Sequence, residues 1–181
     1  MEWNKLATGS LIKIDEEIVT SAVASVTLTG IDSTYDVYMV KFENVKPSTD
    51  NKDLNMQLTT SGTPDTSSNY DYAHKILRAD TTFTNIGVTN TDRFSLVSGV
   101  GNTTGERANG VIYCFNFNNA SEYSFVTYEM SAFNADINTV LGNTGGGTLT
   151  VAQATDGVYF YNESSDNFAS GSVFTLYGLK K

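Results

Sequence analysis

The chain has 181 residues, a formal net charge of −9 and a pI near 4.4, and its eleven Lys and Arg are scattered along it. Affinity for nucleic acid rests on clustered cationic side chains, so this balance argues against a phosphate-binding surface and favours a soluble, outwardly displayed protein. The length suffices to bury roughly 70% of the unfolded surface in one domain, and the single cysteine, Cys114, has no partner for an internal disulfide.

Residues 1–18 set Trp3, Leu6, Leu11, Ile12, Ile14 and Ile18 among charges. Two readings stay open: an N-terminal arm that packs on a partner, with Trp3, Leu6, Leu11 and Ile12 as its interface, or the irregular first edge of the body. Residues 1–15 hold no apolar run long enough for a signal peptide or a membrane span, which points to folding in a reducing cytoplasm. In 22–29 (AVASVTLT), Ala22, Ala24, Val26 and Leu28 share one face of a strand, with Ser25, Thr27 and Thr29 on a wet one. Leu54, Met56 and Leu58 alternate in the same way with Asn55, Gln57 and Thr59. By contrast, 35–42 (YDVYMVKF), 111–117 (VIYCFNF), 123–130 (YSFVTYEM) and 173–179 (VFTLYGL) are apolar on both faces. Such strands are central or half covered by a neighbouring subunit.

Further strands are predicted at 72–78, 93–97, 149–152 and 158–161, and one or two helical turns at 69–75 and 131–141. The Gly-rich stretches 99–110 and 142–147 (GNTGGG) read as loops. About eight to ten short antiparallel strands with turn clusters between them imply an all-β, jelly-roll-like sandwich, one domain over 1–181. No heptad or collagen repeat is present to make a fibre shaft.

Catalytic constellations are weak. His74 is the only imidazole, and Asp71, Tyr72 and Lys75 are its sequence neighbours; a lone histidine here reads as a surface or rim residue. Cys114, between Tyr113 and Phe115, reads as a buried small hydrophobe. Glu122, Glu129, Asp136 and Asp156 could in principle pair for glycoside hydrolysis, but their spacing is that of solvated acids. Asp50, Asn51, Asp53, Asp65 and Asp71 are the richest oxygen donors for calcium, yet no twelve-residue calcium loop encloses them. The reading is therefore of a protein with no catalytic, metal or cofactor site. Tyr70, Tyr72, Tyr159, Phe160 and Tyr161 are read first as core, then as a subunit interface, then as a platform on which a sugar could stack.

Two stretches carry a family likeness: 30–62 (GIDSTYDVYMVKFENVKPSTDNKDLNMQLTTSG) and 167–181 (NFASGSVFTLYGLKK). Both resemble the small jelly-roll-like virion proteins of tailed, mostly aquatic, bacteriophages. The resemblance implies a non-enzymatic structural protein made in the host cytoplasm and located on the virion. A capsid-surface decoration or cement protein bound to the major capsid protein is favoured, as a homotrimer by analogy with such proteins. The alternative is a tail-associated tip domain that binds a receptor or carbohydrate. Neither nucleic acid nor membrane is an expected partner.

Overall fold

Residues 124–134 illustrate why this chain makes sheets. Ser124, Val126, Tyr128, Met130, Ala132 and Asn134 are buried, and the residues between them face outward, the period of two that extended backbone imposes. The computed structural model describes residues 10–180. In chain order the strands are β1 (Leu11–Ile18), β2 (Ser25–Thr29), β3 (Val37–Val45), β4 (Lys52–Thr60), β5 (Thr63–Pro64), β6 (Tyr70–Arg78) and β7 (Phe83–Thr91). They continue with β8 (Phe94–Val100), β9 (Ala108–Phe115), β10 (Ser124–Asn134), β11 (Thr139–Leu149), β12 (Gly157–Asn162) and β13 (Val173–Leu179).

The fold is all-β and antiparallel, of the jelly-roll-like sandwich class, with more strands than the eight to ten expected. Eight strands in the order β1-β13-β3-β9-β10-β11-β6-β7 form a large layer, and β8-β4-β12-β2, with β5 on β4, form a smaller one. The two are continuous at one residue pair, Asn134 with Val100, so the sheet folds back on itself like a flattened barrel. Between the layers Phe160 of β12 meets Phe42 of β3 (6.4 Å between ring centroids) and Phe174 of β13 (5.0 Å). Farther along, Phe94 of β8 meets Tyr70 of β6 edge to face at 4.9 Å. Each such side chain contributes about 1.5–3 kcal/mol by burial.

Several expectations need correction. Residues 131–141 are not helical: they run from the end of β10 through the turn into β11. Residues 69–75 lie largely in β6, and 150–152 continue past the end of β11 as irregular chain. Residues 11–18 are an edge strand paired along β13, so this part of the N-terminal segment belongs to the body; Trp3 and Leu6 lie outside the described residues. Asn55, Gln57 and Thr59 are buried like their apolar neighbours on β4. Tyr161 and Tyr159 of β12 stand across from Asn55 and Gln57, the Gln57 amide donates to the Asp92 carbonyl (2.8 Å), and the Thr59 hydroxyl donates to Asp156 (2.7 Å).

The Gly-rich stretch 142–147 is strand, not loop, and lies in the interior of the large layer between β10 and β6. A Cβ on Gly145 would sit 2.3 Å from the Ala73 carbonyl oxygen and 2.4 Å from the His74 Cβ; one on Gly147 would sit 2.6 Å from the Phe94 ring. The glycines leave space that side chains of neighbouring strands fill, a recognised use of Gly within a sheet.

Candidate functional site

The core-facing side of the large layer is covered by the small layer; among the described residues no other layer covers its outer side. Register aligns the outward residues of successive strands into rows. One row pairs Leu11 with Leu179 at one edge, and Val37 with Phe115 and Phe115 with Phe125 toward the middle. Leu179 lies one period beyond the Tyr177–Met39 pair and so abuts Val37. The next row sets Tyr177, Met39 and Tyr113 side by side. Leu11 and Phe125 are 44% and 43% exposed, and Tyr123, just before β10, is 44% exposed. One row farther the side chains are polar apart from Val111, with Glu16, Thr175, Lys41, Glu129, Thr144 and Lys75. The outer face thus carries this apolar end beside a polar middle, and a second apolar group, Phe133, Val140, Leu77 and Phe83, lies at its far end. Of the expected interface residues, Leu11 is in the apolar row, and Ile12, opposite Gly178, is one position out of it.

At the same end of the sandwich the β2–β3 and β9–β10 connections enclose a cleft of about 300 Å³, lined by Asp32, Tyr35, Asp36, Tyr38, Asn116, Asn118 and Asn119 among others. The Tyr38 hydroxyl donates to the Asp32 carbonyl (2.7 Å) and accepts from the Asp32 N–H (3.0 Å). The Thr34 backbone N–H on Oδ1, helped by the Thr34 side chain and Tyr38, holds the Asp32 carboxyl below its usual range. Both walls are fastened to one segment. Thr155 donates its N–H (2.6 Å) and hydroxyl (3.0 Å) to the Phe117 carbonyl, and Ile31 donates to the Asp156 carbonyl (3.1 Å).

The acids considered for hydrolysis are not brought together. Glu122 precedes β10, Glu129 is on its outer face and Asp136 follows it, so Glu122 and Asp136 are separated by a strand of 11 residues, roughly 37 Å. Asp156 accepts from Gly62 N–H (3.0 Å) as well as from Thr59. The calcium candidates serve the turns: Asp50 accepts from Asn102, Asp53 from Gly99, Asp65 from Ser67 and Gln153, and Asp71 from Asn90. Asn51 has φ of 59°, a conformation asparagine tolerates. Among the described residues no three His, Cys, Asp or Glu side chains form a group that could hold a metal. The aromatic platform does not assemble, because alternation sends Phe160 into the core and Tyr159 and Tyr161 to the opposite face of β12, while Tyr70 is buried.

His74 is buried, not a rim residue. Its Nδ1 is 3.0 Å from the Tyr128 hydroxyl and its ring stacks on Tyr72. Burial lowers its pKa below the ordinary 6.5. Because the unfolded chain takes up this proton first, the neutral imidazole contributes stability above pH 6.5 that is lost as pH falls from there toward the lowered folded value. The melting temperature should therefore step down between pH 7 and 5, before the carboxylates titrate, and the step should vanish in His74→Gln. An identical profile in the variant would contradict this. Cys114 is fully buried, and burial pushes its thiol pKa up, the opposite of what a nucleophile needs.

Asp32 and Tyr35 lie in the 30–62 stretch of family likeness but carried no site signal there, and Asn116 and Asn118 carried none, since only the meeting of two distant connections makes them a site. Comparison with protein-family models, with curated proteins and with solved structures gives no match to this chain.

Proposed function

We propose that this protein is a non-enzymatic structural component of a bacteriophage virion, a capsid-surface decoration protein that self-associates, as a trimer by analogy, and docks on the major capsid lattice. The observation that carries the reading is the apolar end of the large layer's outer face, rows Leu11–Leu179–Val37–Phe115–Phe125 and Tyr177–Met39–Tyr113, where Leu11, Phe125 and Tyr113 stand exposed among the described residues around a buried Met39. Contiguous apolar surface of this kind marks an interface. The net charge of −9 suits the rest of the surface to outward display, and the sequence likeness in 30–62 and 167–181 supplies the virion setting. Trp3 and Leu6, upstream of Leu11, are assigned to the same docking surface from sequence.

Phe125→Asp combined with Tyr113→Asp should leave the melting temperature within a few degrees, since both side chains are partly exposed. Sedimentation at micromolar concentration should show the parent associated and the variant monomeric, and the variant should fail to decorate particles. A monomeric parent, together with full decoration by the variant, would overturn the reading. A tail-associated, receptor-binding role is the second reading, and the polar cleft at the end of the sandwich is what favours it. Copy number decides between them: hundreds per particle mean capsid, about a dozen mean tail.

A further inference from the structure

We infer that the cleft between the β2–β3 and β9–β10 connections binds a single neutral sugar ring, wherever on a particle the protein sits. Four features of the lining converge on a polyol. Asp32 offers a carboxylate kept ionised and oriented by Thr34 and Tyr38. Asn116 and Asn118 are exposed, and neither side-chain amide is engaged in a hydrogen bond, so each presents a carbonyl and an NH₂ together. Vicinal hydroxyls, each both donor and acceptor, match carboxylate and amide groups placed side by side. The half-buried ring of Tyr35 supplies an aromatic wall, and its position is fixed by edge-to-face contact with Tyr38 at 5.6 Å and by packing on Gly178. An aromatic surface of this kind complements the C–H face of a pyranose.

The walls are preorganised, which limits the ordering cost of binding. One wall hangs from Thr155 through the Phe117 carbonyl, the other from Asp156 through Ile31, and Thr155 is itself held by the buried Ser124 hydroxyl at 3.0 Å. Asn116 sits at φ 60°, a conformation held within this fixed loop. Other ligand classes fit less well. An anion would meet Asp32 and Asp36 in a chain of net charge −9. Calcium requires six to eight oxygens, whereas an aromatic ring and amide NH₂ groups take up much of this lining. A cleft of about 300 Å³ is at the small end of ligand sites, sized for one ring and not for an extended peptide.

The test is an NMR titration of the full chain with glucose, galactose, mannose and N-acetylglucosamine separately, and with calcium chloride alone. At least one sugar should give saturable shifts in the Asn116 and Asn118 side-chain amides and the Tyr35 ring. Asn118→Ala should weaken that sugar about tenfold, the effect of one lost pair of hydrogen bonds. Asn116→Gly with Asn118→Ala should abolish binding at unchanged melting temperature, because glycine accepts the positive φ. The assignment fails if no sugar saturates, if the shifts survive in the double variant, or if only calcium chloride perturbs the cleft. None of these outcomes bears on docking through the outer apolar face, which the Phe125 and Tyr113 variants probe separately.

Discussion

Removing residues 174–181 should leave a chain with no cooperative thermal transition. The segment is most of β13, which pairs on one side with β1 and on the other with β3, so its loss unpairs both and strips β1 of its ladder. Phe174 and Leu176 are fully buried, and Phe174 also packs on Phe160 and Phe168 (5.0 and 5.1 Å between centroids). Two such side chains contribute about 3–6 kcal/mol by burial alone, against a total stability of roughly 5–15 kcal/mol for a typical domain. The exposed edge of β3 and the uncovered Phe160 would then favour aggregation. Near-ultraviolet circular dichroism and calorimetry of the truncated protein check this; a cooperative melt near the parent temperature would refute the assignment of β13 as an interior strand.

Gly145→Ala should be strongly destabilising. The new methyl would lie 2.3 Å from the Ala73 carbonyl oxygen and 2.6 Å from the His74 Cα, backbone atoms that no rotamer change can move. Relief requires displacing β6 from β11, and overpacking of this kind costs about 3 kcal/mol, or roughly 6–12 °C in melting temperature for a domain of this size. Gly142→Ala, on the same strand, provides the control. Its nearest neighbours are at 3.8 Å, an ordinary contact, so that variant should melt within a few degrees of the parent. Equal effects at the two positions would mean that close approach is not what requires glycine at 145.

The same glycines explain where the sequence was hard to read. Strands with side chains on both faces, such as 37–45 and Val173–Leu179, declare themselves through alternation or continuous apolarity. In β11 the residues that would have signalled the core face are Gly145 and Gly147, and the bulk occupying that space belongs to His74, Tyr72 and Phe94. Period-two reading fails when a strand's share of the core is filled by its neighbours. β7 was missed for a different reason: it is an edge strand, polar and largely exposed (FTNIGVTNT), held by backbone pairing to β6. The outer apolar face was legible in part, because doubly apolar strands implied uncovered surface, but which of their residues line up in rows depends on register. The cleft was illegible, since Asp32 and Asn118 are 86 positions apart in sequence.

The placement of β13 between β1 and β3 also sets a schedule for synthesis. β3 is complete at residue 45, yet one of its two neighbours starts at residue 173 and the other at residue 108. At translation rates of about 5–20 residues per second, the wait for β13 is on the order of ten seconds. Through that interval Phe42 and Val40 have no completed layer around them, and β1 has no strand to pair with. The large layer can therefore be completed only once residue 179 has been made, and such distant pairing makes for slow folding. High expression at elevated temperature should accordingly divert this chain into inclusion bodies, and slowing synthesis by cooling should recover soluble material.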